Sequence, residues 1–272
     1  MEQVRPEWRL AFGDVVDEYE AARPDYPGEL VKDVLTYAGG RPAMAVLDVG
    51  AGTGKASRVF AEHGVTLTCL EPDRRMADRL SEHPALREAR VHGSDFETWP
   101  GPAGAFDLLV SAQAWHWVDP AVGWRRADEM LRPGGAVALF WHLFKVLDPD
   151  LRADLVAAHR VRGMTGLDAR VMEEWVRVPS VDRSVWPADQ LRERPEFTDV
   201  DYRAYTVQHT FTTPRFLQLL TTLSAYRMLE VPARDDLYDE LSRVIHKYDA
   251  SGCLQLSAST QLTMARTRLQ TR

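Results

Sequence analysis

Along the first half of the chain, apolar positions switch between two spacings. Mainly apolar runs at 45–49, 65–70, 106–110 and 136–141 read as strands buried on both faces, while 55–63, 74–81 and 120–131 carry apolar residues at helical spacing. Arg132-Pro133-Gly134-Gly135 stops the last of these helices. Strand–helix alternation predicts a parallel sheet with helices on both faces. The second half is richer in charge and predicts helices over 151–162, 214–229 and 234–248. A late strand pair is expected at 200–207 and 254–265, where Thr, Ser and apolar residues alternate. Neither repeats nor a Gly/Ser-rich or Pro-rich linker divides the chain. One domain is expected, with an N-terminal helical cap over 1–40, a core over 41–142, an insertion over 143–199 covering one end of the sheet, and C-terminal strands and helices over 200–272.

Composition narrows the class. The 272 residues are 45% hydrophobic and 27% charged, enough apolar material for a sizeable interior. The net charge of −7 opposes binding of a phosphate backbone, which depends on concentrated Lys and Arg, so no nucleic-acid partner is expected. Cys69 and Cys253 lie far apart in apolar surroundings, which suits free thiols in a reducing compartment and gives no metal site. No segment reads as a signal peptide or a membrane span, so the expected location is the cytoplasm, with no membrane partner. Oligomeric state has no sequence signal.

The chemistry begins at Val46-Leu47-Asp48-Val49-Gly50-Ala51-Gly52-Thr53-Gly54-Lys55, a strand that closes on a glycine turn opening a helix. Glycine lets the backbone approach a ligand closely. The dinucleotide pattern G-x-G-x-x-G needs its third glycine at position 55, which is Lys55; here it falls at Gly54. Asp48 just before the turn opposes a pyrophosphate but attracts a cation, so the favoured ligand is S-adenosylmethionine with its ammonium and sulfonium groups. Glu71, ending the second strand, suits ribose hydroxyls, and Asp95, after the third, suits the adenine amino group with Phe96 beside the ring. Each of these acids alone is more often a helix cap or a solvated charge; in order at successive strand ends they reinforce one another.

VLDVGAGTGK, CLEPD from Cys69, GSDFE, FDLLVSAQAWHWVD from Phe106 and LRPGGAVALFWH from Leu131 resemble the class I S-adenosylmethionine-dependent methyltransferases. The resemblance covers roughly residues 10 to 142 and extends more faintly through TTLSAYRML from Thr221, in the manner of the small-molecule, trans-aconitate-type branch. It implies a Rossmann-like α/β fold with a seven-stranded, mostly parallel sheet whose last strand is antiparallel. It also implies that Gly50, Ala51, Gly52 and Gly54 line the methionine and ribose portions of the cofactor. Glu71 would hold the ribose, Pro72 and Met76 would flank adenine, and Asp95, Phe96, Ser111 and Ala112 would complete the site. Tyr19 and Arg23 would close over it, Arg23 as partner of the cofactor carboxylate; the alternative for Arg23 is a helix C-terminal cation.

For the acceptor, the segment 111–117 follows the fourth strand, whose carboxyl end faces the crevice where open α/β sheets bind ligands. Trp115, His116 and Trp117 are candidates to frame a flat or apolar substrate, and His116 to remove a proton from a neutral acceptor; the alternative is that Trp-His-Trp packs a loop. Trp141 and His142 are candidates on the same ground, although relatives more often carry Asn where His142 stands. Trp175, Trp186 and Tyr226 are candidates for a pocket roof. The Asn/Asp-Pro-Pro-Tyr stretch of enzymes that methylate nucleic-acid amino groups is absent from the sequence. The expected function is methyl transfer to an O or N atom of a small molecule; a nicotinamide-dependent oxidoreductase or a catalytically silent cofactor-binding module stand as alternatives.

Overall fold

The computed structural model describes residues 13–164 and 187–269. Seven strands form one sheet: β1 (Ala45–Val49), β2 (Thr66–Leu70), β3 (Arg90–His92), β4 (Phe106–Ala112), β5 (Leu131–Val146), β6 (Phe197–Thr212) and β7 (Cys253–Thr267). Their order is β3-β2-β1-β4-β5-β7-β6, and β7 runs antiparallel to both of its neighbours. The first four pairings are parallel. The sheet and its antiparallel last strand match the expected fold. Two apolar clusters flank the sheet's parallel half, because β1 and β5 alternate Val46, Ala138 and Phe140 to one face with Leu47, Val137 and Leu139 to the other.

The helices are α1 (Val16–Ala22), α2 (Gly28–Tyr37), α3 (Lys55–Ala61), α4 (Arg74–Glu82), α5 (Pro120–Met130), α6 (Pro149–Val161), α7 (Ala188–Arg192), α8 (Thr213–Thr221), α9 (Ser224–Arg227) and α10 (Val231–Tyr248). Side-chain caps from Asp73, Asp119 and Asp148 start α4, α5 and α6 by accepting the first free backbone N–H groups.

Several boundaries differ from the sequence reading: the late strand expected at 200–207 runs from Phe197 to Thr212, and two further differences bear on the site. β5 continues past residue 141 to Val146, because Ala136–Val146 keeps a continuous antiparallel register against β7. The helix expected over 214–229 breaks after Thr221. There the Thr222 hydroxyl donates back to the Leu219 carbonyl, and the Thr222 carbonyl accepts from the Arg23 guanidinium at 2.7 Å instead of continuing the helix.

α1 is clamped over the carboxyl ends of the strands. Glu20 pairs with Arg58 at 2.9 Å and bonds the Thr53 hydroxyl, while Asp25, just beyond α1, pairs with Lys55 at 3.1 Å and Arg58 at 2.9 Å. These contacts tie α1 to the start of α3. Among the described residues, no helix is long and apolar enough to cross a membrane.

Candidate active site

A cavity opens at the carboxyl ends of β1, β2 and β4, where the strand order reverses direction from β1 and crevices form in such sheets. Its floor is the glycine turn. Gly50 and Gly52 line it, and a Cβ on Gly50 would come within 2.3 Å of the Ala114 Cβ, so the turn and the loop after β4 touch only because that position has no side chain. Gly54 has the left-handed φ of +88° at the start of α3, and a Cβ there would meet Leu86 Cδ1 at 2.6 Å. It serves helix packing and does not line the cavity.

Glu71 organises the floor. One carboxylate oxygen accepts the Gly52 N–H and the other accepts the Asp73 N–H, both at 2.8 Å. A carboxylate has about four lone-pair sites, so acceptor capacity remains for a ligand. Burial pushes Glu71 up to about 7, against the lowering effect of the two backbone N–H groups; Asp73 and Asp48 add to the rise. Pro72, Met76, Asp95, Phe96 and Ala112 line the same cavity.

Over this floor lie Tyr19 and Arg23 of the α1 segment. The Arg23 guanidinium stacks on the Tyr19 ring, 4.6 Å from its centroid, and donates to the Thr222 hydroxyl at 3.0 Å. Both readings of Arg23 meet here: it caps the C-terminus of α8 and also faces the cavity.

The acceptor-side candidates divide. Trp115–Trp117 forms a 3-10 turn after β4, with His116 and Trp117 on the cavity and Trp115 buried against Phe96 and Trp124 at ring distances of 5.7 and 4.8 Å. Trp115 therefore packs the loop. Trp141 and His142 are neighbours on a strand and point to opposite faces. Trp141 reaches the 3-10 turn, its indole N–H donating to His116 Nδ1 at 3.3 Å. His142 lies on the other face, stacked on Tyr26 at 4.4 Å and bonded to the Thr260 hydroxyl at 2.9 Å, which keeps it off the cavity wall.

Three more expected contacts are absent from the wall. Asp48 points to the α3 face of β1, fully buried, its Oδ2 accepting from the Ser57 hydroxyl at 2.5 Å. Burial raises it to about 6. Ser111 donates to the Val49 carbonyl at 2.8 Å, and Ala51 packs into the core. Trp175 and Trp186 lie outside the described residues, whereas Tyr226 does line the cavity, beside Leu223.

Gln113 lies inside the candidate segment 111–117 but had no role of its own in the sequence reading, and Glu97 and Val118, which also line the cavity, had none. Gln113 lines the cavity with a left-handed φ of +60°, its backbone N–H donates to the Phe140 carbonyl at 2.9 Å, and its buried Nε2 has no hydrogen-bond partner among the described residues. A positive φ at a non-glycine residue leaves no signature in sequence alone.

Residues 47–139 match the family model described as a methyltransferase domain. A solved structure described as a type II methyltransferase from Anaeromyxobacter dehalogenans superposes with a TM-score of 0.65 at 23% identity, over 91% of this chain and 99% of that one. Residues 47–139 thus carry a methyltransferase domain, and the seven-stranded sheet is the fold of the class I methyltransferases. An uncharacterized methyltransferase of Mycobacterium bovis is 38% identical over 138 residues, 51% of this chain and 54% of the relative. The malonyl-[acyl-carrier protein] O-methyltransferase of Salmonella typhimurium is 32% identical over 145 residues, 52% and 55% of the two chains. The matches thus span about half the length of these curated relatives. They indicate a methyltransferase domain and do not extend to the trans-aconitate branch.

Proposed function

We propose that the chain transfers the methyl group of S-adenosylmethionine to an oxygen or nitrogen atom of a small-molecule acceptor. The observation that carries this reading is Glu71, a buried carboxylate bonded to the backbone of the glycine turn and facing the same cavity as Arg23 and Asp95. That set fits the donor: Glu71 for the ribose hydroxyls, Asp95 and Phe96 with Pro72 and Met76 for adenine, and Arg23 with Tyr19 for the amino-acid end. Gly50, Gly52 and Ala112 leave room beside them. Asp48 acts from behind the turn as negative charge, without contact.

The bound donor supplies a methyl group already activated on sulfur, so the protein's task is alignment. Holding two reactants at attack distance contributes about 7 to 11 kcal/mol of barrier reduction. His116, Trp117 and Gln113 are the acceptor-side groups that would do this, with Leu223 and Tyr226 roofing the cavity against water. The name of the Salmonella relative supports an oxygen acceptor.

Isothermal titration with S-adenosylhomocysteine, and separately with NADH, tests the reading. One site for the nucleoside thioether is expected. Binding of NADH with no binding of the thioether would transfer the cavity to oxidoreductase chemistry.

A further inference from the structure

Building on the methyl-transfer reading, we propose that Trp141 is a positioning residue that fixes His116 as a hydrogen-bond donor, so that the enzyme takes acceptors needing no deprotonation, such as a carboxylate oxygen or an unprotonated ring nitrogen. An indole N–H can only donate. Its partner, His116 Nδ1 at 3.3 Å, must therefore present a lone pair, and the one proton of the neutral imidazole sits on Nε2. A base acting through Nε2 would need the opposite tautomer, with two N–H groups facing each other across that 3.3 Å.

The electrostatics agree in direction. His116 is held below the ordinary imidazole value first by desolvation of the charged ring and then by the Arg23 cation. The ring keeps an open face to solvent, which limits the first of these and leaves the Arg23 charge and the occupied Nδ1 as causes that persist. The other charged groups lining the cavity are Glu71, Asp95 and Glu97, all on the wall that follows β2 and β3; Arg23 is the charge that bears on the ring. Trp141 is suited to hold the geometry, because its backbone is locked in β5 opposite Gln261 of β7.

With a carboxylate acceptor the transfer balances without a base. An oxygen lone pair forms the new bond to the methyl carbon, the carbon–sulfur pair stays on sulfur, and anion plus sulfonium become ester plus neutral thioether. The Nε2–H of His116 holds the acceptor's second oxygen. With a ring nitrogen, the same displacement leaves the positive charge on the product, and again no proton has to leave before attack.

The test is a long-range nitrogen–proton NMR spectrum of the histidine rings, recorded on the free protein and with saturating S-adenosylhomocysteine. His116 is assigned by the signals lost in His116→Gln. The expected result is the Nε2–H tautomer across pH 6 to 8, and in Trp141→Phe a mixed tautomer with a midpoint raised by about one pH unit. An Nδ1–H tautomer in the unmodified protein overturns the proposal, as does an identical titration in folded Trp141→Phe. The wild-type tautomer decides alone if that variant does not fold. Failure of S-adenosylhomocysteine to bind would count against the methyltransferase reading instead, since the tautomer is read in the free protein as well.

Discussion

Two walls of one cavity are built differently. On the wall made by the β1 turn and the end of β2, Glu71 engages two backbone N–H groups at 2.8 Å, so its carboxylate is oriented by the very turn it faces. On the opposite wall, made by the loop after β4 and the α8–α9 junction, Gln113 holds a left-handed backbone and leaves its buried Nε2 without a partner among the described residues. The first wall has its polar groups set before any ligand arrives, which suits a ligand that never changes. The second carries aromatic rings and an unmet amide, which suits an acceptor that supplies part of the bonding itself. A strained backbone and an unsatisfied polar atom persist where the surrounding fold over-determines them, and such features concentrate at ligand sites.

The contrast breaks most sharply at Glu71. Glu71→Ala removes the charge-assisted bonds proposed for the ribose and also releases the Gly52 N–H. We expect S-adenosylhomocysteine affinity to fall by roughly 1.5 to 3 kcal/mol, about ten- to a hundredfold. Calorimetry on a variant of native circular dichroism reads it. Unchanged affinity would remove Glu71 from the site and leave the first wall as inert scaffolding.

How far the residues announced these walls follows from where each lies on its element. Gly50, Gly52, Glu71, Pro72, Asp95 and Phe96 sit at or just past the carboxyl ends of strands, and a strand end in a parallel sheet is readable from the apolar run before it. Single-residue direction was less readable. Asp48 is one position from Val49 and yet faces Ser57 rather than the cavity, because side chains alternate across a strand. The same alternation separates Trp141 from His142. The acceptor wall was harder still: Leu223 and Tyr226 reach Gln113 and His116 across roughly a hundred residues of chain, by tertiary packing that no local pattern records. The N-terminal helices and the break after Thr221 depend likewise on distant partners, Lys55, Arg58 and Arg23.

A milder perturbation sharpens the comparison through pH. Glu71 is an acid raised to about 7 by burial. Raised above its unfolded value, it contributes stability that is present below the ordinary carboxylate range and is lost as pH rises through about 7. Ligand affinity runs the other way, because the ionised carboxylate is the better acceptor for hydroxyls. If only that form binds, S-adenosylhomocysteine affinity rises roughly tenfold between pH 6 and pH 8. Asp48, raised to about 6, titrates partly in the same window, so the comparison uses Glu71→Gln, in which most of the rise should vanish. A rise of equal size in Glu71→Gln would move the effect to Asp48 behind the turn.

The smallest effect separates strain from packing on the acceptor wall. Gln113 stands at φ +60°, where a residue with a Cβ costs roughly 1 to 2 kcal/mol and glycine does not. Glycine loses more backbone freedom on folding, about 0.5 to 1 kcal/mol. Gln113→Gly also removes a buried Nε2 that has no partner among the described residues. The balance favours the variant by about 0.5 to 1 kcal/mol, a rise in thermal midpoint of roughly 1 to 4 °C for a chain of this size. Differential scanning calorimetry without ligand measures it. A gain in stability would mean that the fold tolerates strain at a cavity residue whose amide Nε2 lacks a partner among the described residues, as expected of a position kept for recognition. A clear loss would mean that the Gln113 side chain supports the loop by packing, and the asymmetry between the two walls would then be structural rather than functional.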